Sequence, residues 1–208
     1  MEAIKKPLSA IMNRLEAAAR EKNAVVIKIV LNSGDDWLAY CLTLPMVSEP
    51  GEQFVYSNSN FYLLSCLIHQ VTGMRLADYL SKHLFSALDV HTYAWSTCPY
   101  GEHEGGSRLY INTEDMAKLG KLYQQKGLWN GIRIVSEEWV SEATTNQTAH
   151  TGNHFGLGVG GVYENFFAFH GAYNQIVIVR KERDLILAAH AFNEDFDIIS
   201  ALDDALLT

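Results

Sequence analysis

Tyr56 and Asn58 close the segment Pro50-Gly51-Glu52-Gln53-Phe54-Val55-Tyr56-Ser57-Asn58 and set a phenol beside a carboxamide. In a loop punctuated by Gly51 and Ser57, such a pair can hold and pass a proton, which is general acid/base chemistry if a nucleophile stands near. No nucleophile is obvious in the surrounding residues. Both side chains also have a plain structural use: the Tyr56 hydroxyl could be tied to backbone, and Asn58 could cap the helix that begins beside it. His170 is a further candidate, because Gly171 beside it permits close backbone approach. A partly exposed strand histidine is the equal alternative.

Other patterns promise more than they carry. Gly156-Leu157-Gly158-Val159-Gly160-Gly161 fits GxGxxG literally, but a dinucleotide site needs a strand before it and a helix after it. Aromatic, strand-like sequence from Tyr163 to Phe169 follows instead, so a Gly-rich strand or turn is expected. His150 and His154 have the four-residue spacing of a helical metal pair, yet they sit among Thr151, Gly152 and Asn153 with no third ligand. Surface histidines are the better reading. Neither a metal nor a cofactor is expected. Trp37, Trp95, Trp129 and Trp139 read as core or cleft-wall aromatics.

Composition bounds the class. With 208 residues, 48% hydrophobic and 19% charged, the chain can bury one sizeable core or two small ones. Its formal charge of -8 argues against a nucleic-acid surface, which needs clustered Lys and Arg. Cys41, Cys66 and Cys98 are few, odd in number and widely spaced, which suits a reducing compartment better than a disulfide framework or a metal knuckle. The polar stretch Asn13-Arg14-Leu15-Glu16 stands where a secretory signal would place its apolar segment, and no membrane-spanning run follows. A cytoplasmic protein without membrane contact is expected.

The elements that must position the candidates follow from periodicity. Leu8, Ile11, Met12 and Leu15 have helical spacing, and residues 24–31 are β-branched enough for a strand, although a buried helical turn would look the same. From Asn58 to Val71 the apolar residues Phe61, Leu64, Leu67, Ile68 and Val71 keep a helical period, with Thr72-Gly73 as a stop. A second helix spans about Leu76 to Phe85, and the glycines and proline of Trp95–Gly106 make a long ordered loop. Thr113 should cap a helix through Met116, Leu119, Leu122 and Tyr123 with Gly127 as terminator; Ser136 should cap the next, after a turn at Trp129-Asn130-Gly131-Ile132. Beyond His150 the pattern changes to strands at about 155–162, 166–169, 175–180 and 185–191, joined as antiparallel hairpins, and a final helix from Ile198 to Leu207 would pack on them.

In this order, Val47-Ser48-Glu49-Pro50-Gly51-Glu52-Gln53-Phe54-Val55-Tyr56-Ser57-Asn58-Ser59-Asn60, Val71-Thr72-Gly73, Gly105-Gly106-Ser107-Arg108-Leu109, Thr113-Glu114-Asp115-Met116-Ala117-Lys118-Leu119-Gly120 and His170-Gly171-Ala172-Tyr173-Asn174-Gln175 resemble the beta-lactamase-related serine hydrolases. These are the class C beta-lactamase, D-alanyl-D-alanine carboxypeptidase and esterase group with the penicillin-binding fold. The resemblance implies an α+β fold, an antiparallel sheet flanked by helices with a helical region beside it. It implies one domain over residues 1–208: an uncertain segment 1–31, a mostly helical region 32–149 carrying the Tyr-x-Asn loop, and strands with a terminal helix over 150–208. Catalysis by resemblance is acyl transfer, in which the serine of a Ser-x-x-Lys motif attacks a carbonyl and a backbone oxyanion hole holds the intermediate. Tyr56 would then be a general base or acid, and Asn58 a hydrogen-bond partner of substrate or lysine; His170, Gly171 and Ala172 would line the substrate where relatives carry Lys-Thr-Gly or a related triplet.

One part of the pattern is missing. No serine in these 208 residues has a lysine three positions on; Ser9 is followed by Met12, Ser33 by Asp36, Ser57 by Asn60 and Ser81 by Leu84. In relatives that motif precedes the Tyr-x-Asn loop by several tens of residues, together with N-terminal strands, so the resemblance implies an N-terminally truncated, incomplete fold. Three readings stand: a hydrolase, or fragment of one, whose nucleophile segment lies elsewhere; a noncatalytic binding protein keeping a cleft for a small-molecule, peptide-like or acyl ligand; and a decayed domain without function. An unpaired sheet edge would favour a homo-oligomer or a complementing chain.

Overall fold

The computed structural model describes residues 34–45, 52–148, 152–193 and Ile198. The helix expected around Leu8–Leu15 and the strand expected over 24–31 lie outside them, as does the segment from Val47 to Gly51. The chain divides into two compact units, one ending at Tyr110 and the other starting at Ile111.

The first unit is built on helices. α1 (Trp37–Thr43) starts where Asp36 accepts a hydrogen bond from the Ala39 amide, and α2 runs over Asn58–Thr72. The expected stop of α2 is observed: Gly73 takes the left-handed conformation, φ 71°, and its amide donates to the His69 carbonyl, which satisfies an otherwise orphaned acceptor. Tyr62, Leu63 and Cys66 fall on one buried face of α2 and pack with Cys41 of α1 and with Cys98, while Trp37 meets Tyr62 edge-on at 5.8 Å. α3 (Leu76–Leu80) widens into a π turn at Ser81–Phe85 that ends before Leu88, close to the expected limit. β1 (Tyr93–Trp95) and β2 (Leu109–Ile111) form a two-stranded sheet. Between them the expected ordered loop is present, pinned by a bridge between Thr97 and His103.

The second unit is a four-stranded antiparallel sheet with helices. α4 (Thr113–Gln124) is capped one residue earlier than expected: the Asn112 side chain accepts from the Asp115 amide, and Thr113 is the first helical residue. Asn and Thr are both good caps, and only the backbone turn at Asn112 decides between them. The short hairpin β3 (Leu128–Trp129) and β4 (Ile132–Arg133) turns at Asn130-Gly131, both at positive φ, as a two-residue loop of that sequence prefers. Ser136 caps α5 (Glu137–Ala143) as expected, its oxygen accepting from the Trp139 amide at 3.1 Å.

The sheet order is β5 (Gly161–Val162), β6 (Phe166–Gly171), β7 (Gln175–Arg180) and β8 (Leu185–Ala189), with every neighbouring pair antiparallel. Val177 and Val179 point to one face with Phe167, and Ile176 and Ile178 to the other with Phe166 and Ala168; both faces are buried, which explains why β7 reads as an unbroken apolar run. Met116 and Tyr123 of α4 pack on the first face, and Gly120 is needed there, since a Cβ would come within 2.7 Å of Val177 Cγ1. Ile198 packs on the second face; the rest of the expected terminal helix lies outside the described residues. The expected strand at 155–162 shrinks to two residues, because Leu157 donates to the Ala143 carbonyl and Gly156 to Val159, which turns the chain instead of extending it. No helix follows the glycines, so they form a turn and not a dinucleotide loop.

Candidate functional site

The first group of site residues sits where a loop becomes α2. Ser57 is the N-cap: extended at φ -149°, buried, and accepting from the Ser59 amide at 3.2 Å. Asn58 is thus the first helical residue and its side chain is free of capping. It accepts the Tyr56 hydroxyl proton at Oδ1 over 2.9 Å. The two candidates named from sequence are therefore in direct contact through their side chains. Burial pushes the Tyr56 phenol above its ordinary value of 10.0, so the hydroxyl is protonated at neutral pH and acts as a donor. A phenol in that state serves as a general acid or an electrophilic hydrogen-bond donor; it becomes a base only when a neighbouring cation lowers its pKa.

Two features that sequence reading did not assign hold this pair. The Phe61 ring stands 6.0 Å from the Tyr56 ring. Against it lie Gly105 and Gly106 of the β1–β2 loop: a Cβ on Gly105 (φ 78°) would fall 2.1 Å from the Phe61 carbonyl oxygen, and one on Gly106 2.6 Å from the ring. Only glycine allows that approach. The loop is locked by charge. Buried Glu104 accepts from Ser107 Oγ at 2.6 Å and pairs with Arg108 Nε at 3.4 Å, while Glu102 meets His69 Nδ1 at 2.7 Å. The signal for this support was the Gly-Gly pair itself; the role of Glu104 depends on burial that no local pattern announces.

The three cysteines belong to the core of the first unit. Cys41, Cys66 and Cys98 are free and buried around Tyr62, whose hydroxyl reaches Cys98 Sγ at 3.5 Å. Burial pushes the Cys66 thiol up to about 12, so it is a neutral, unreactive thiol at neutral pH.

The second group belongs to the second unit. His170 and Gly171 end β6, opposite Ile176 and Gln175 of β7. Ala172 opens the short 3-10 turn Ala172–Asn174 that joins the two strands. His170 is exposed and Gly171 half-buried at the end of this hairpin. The Gly-rich turn lies against it: a Cβ on Gly160 would be 3.7 Å from His170 Cβ. His154 stacks on Tyr163 at 4.7 Å, a packing role. Among the described residues no group of three or more His, Cys, Asp or Glu is arranged to hold a metal.

The beta-lactamase family profile matches residues 11–197. The chain belongs to the beta-lactamase family. It is 31% identical over 91 residues to the 6-aminohexanoate-dimer hydrolase of Paenarthrobacter ureafaciens, a match covering 42% of this chain and 23% of that protein. Its fold is similar to that of a penicillin binding protein from Bacillus halodurans, TM-score 0.68 at 15% identity, covering 93% of this chain and 71% of the other. It is also similar to the octameric penicillin-binding protein homologue from Pyrococcus abyssi, TM-score 0.61 at 17% identity, covering 94% and 55%. The match thus spans under a quarter of that relative's length. The mixed helices and antiparallel sheet expected from the sequence are those of the beta-lactamase and penicillin-binding fold. Among the described residues no helix is long and apolar enough to cross a membrane.

Proposed function

We propose that this member of the beta-lactamase family carries the ligand-binding half of an acyl-transfer site and does little or no acyl transfer as an isolated 208-residue polypeptide. Tyr56 supplies the proton-bearing group and Asn58 orients it; His170, Gly171 and Ala172 line the bound ligand. The observation that carries this reading is the Tyr56–Asn58 hydrogen bond in a sequence without Ser-x-x-Lys. A protonated phenol with an upward-shifted pKa can polarise a carbonyl or protonate a leaving group, yet it does not activate a serine. Loss of a catalytic nucleophile typically costs on the order of a millionfold in kcat.

The ligand class in this reading is an amide or ester of an acyl group with an extended chain. Its support is the curated relative that acts on the 6-aminohexanoate dimer, an amide flanked by polymethylene chains. A second polypeptide segment bearing the serine and lysine would complete the site, and self-association belongs to the same reading, since one protein of similar fold is octameric.

The test is turnover of a chromogenic cephalosporin and of a p-nitrophenyl ester by the chain alone. Rates at the uncatalysed background, with saturable ligand binding, are expected. Turnover that disappears in Tyr56→Phe would overturn the proposal.

A further inference from the structure

Glu104 is a buried carboxylate that folding alone does not explain. It is 6% exposed, and its Oε1 has no hydrogen-bond partner among the described residues, while Oε2 accepts from Ser107 Oγ at 2.6 Å and faces Arg108 Nε at 3.4 Å. Taking a carboxylate out of water with one oxygen unsatisfied costs stability, and an apolar side chain of similar volume often folds as well. The same turn carries a second cost: Arg108 sits at φ 54°, in the left-handed region that a residue with a Cβ leaves unless something holds it there. Backbone bonds tie both ends of the turn to Ser96, which accepts from the Glu104 amide and donates to the Arg108 carbonyl, each at 3.2 Å, and the Trp95 indole donates to the Ser107 carbonyl at 2.9 Å. The Glu104 side chain reaches across the two glycines that lie between.

Those glycines lie against the carbonyl and ring of Phe61, and the Phe61 ring stands 6.0 Å from that of Tyr56, tilted by 51°. Val55 and Ser57 are buried on either side of Tyr56, so its backbone is anchored and the direction of the phenol is left to rotation of the side chain. Asn58 holds the hydroxyl end of that side chain, and Phe61 flanks its ring. Resting on the reading of Tyr56 as the proton-bearing group, we propose that Glu104 is its positioning residue: the carboxylate draws Ser107 and Arg108 together across Gly105 and Gly106, seats this turn on Phe61, and thereby fixes the direction in which the Tyr56 hydroxyl is presented. Glu104 acts through these two packed contacts, turn on Phe61 and Phe61 on Tyr56.

The test is NMR of ring-labelled tyrosine in the full chain, with Tyr56→Phe assigning the signal. The variants compared are Glu104→Ala, Glu104→Gln and, as a control that weakens the same unit elsewhere, Leu88→Ala at a fully buried position. Glu104→Ala is expected to shift the Tyr56 ring signals and to bring the phenol's pKa, raised above 10.0 by burial, back toward 10.0. Glu104→Gln, whose amide oxygen still accepts from Ser107, should keep the wild-type signals and most of the raised pKa, and Leu88→Ala should keep both. An equal fall in the glutamine and alanine variants would show the field of the carboxylate acting at a distance and overturn positioning. An equal change in Leu88→Ala, or no change in any variant, would overturn it as well. If Glu104→Ala does not fold, Ser107→Ala, which removes the 2.6 Å contact, carries the same expectation. The ligand reading is judged separately, by saturable binding of the chromogenic cephalosporin: undiminished affinity in Tyr56→Phe would defeat the role of Tyr56, and the Glu104 result would still stand or fall on the Tyr56 signals.

Discussion

The Tyr56 hydroxyl donates its proton to Asn58 Oδ1 across 2.9 Å, with only the helix-capping Ser57 between them. This geometry fixes the phenol as a donor. In the wild-type chain the Tyr56 phenol should titrate above 10, as burial requires. NMR titration of ring-labelled tyrosine, with Tyr56→Phe to assign the signal, measures it; a value below 10 would show a cation close enough to stabilise the phenolate.

Ser57→Ala removes the side-chain oxygen that satisfies the Ser59 amide at a buried helix start. A loss of about 1 kcal/mol in unfolding free energy is expected by urea denaturation, with Ser57→Asp retaining most of it. Equal stability of wild type and alanine variant would mean that water caps this helix.

Gly105→Ala is expected to be the more damaging change at the pair. The new Cβ would sit 2.1 Å from the Phe61 carbonyl oxygen at a residue with φ 78°. Strain and overlap together predict about 2–4 kcal/mol of destabilisation. Near-UV circular dichroism should change as the ring of Phe61 shifts beneath Tyr56, and an unaltered spectrum with unaltered stability would argue against close contact.

Alkaline pH should weaken the first unit through Cys66. Its folded pKa is raised from 9.0 to about 12, so the folded state keeps a proton that the unfolded state releases. Stability is therefore full below pH 9 and is lost progressively from about pH 9 to 12, at about 1.4 kcal/mol per pH unit for one proton. Denaturant titrations at pH 8 and pH 10 should differ by about that amount, and Cys66→Ala should remove most of the difference.

Local sequence determined a good deal of this protein. The period of Phe61 to Val71 with Gly73 behind it, the cap at Ser136 and the Asn130-Gly131 turn all depend on residues within one or two turns of chain, and all are observed. The same locality makes the Tyr56-Ser57-Asn58 triplet and the ordered family motifs legible. Where two residues were equally good locally, as with Asn112 and Thr113 at the start of α4, the sequence did not choose. At 155–160 it misled, because the apolar alternation of a strand was overridden by backbone bonds to the end of α5.

Only tertiary structure decided how the candidates are supported. That Asn58 holds Tyr56 and leaves the cap to Ser57 follows from the angle at which the loop enters α2. That Gly105 and Gly106 back this pair through Phe61 follows from a contact between residues more than forty positions apart. Burial, partial for Tyr56 and nearly complete for Cys66, then raises both of their pKa values, and burial is a property of the packed chain. Residue type tells which proton can move; the surrounding atoms tell whether it does.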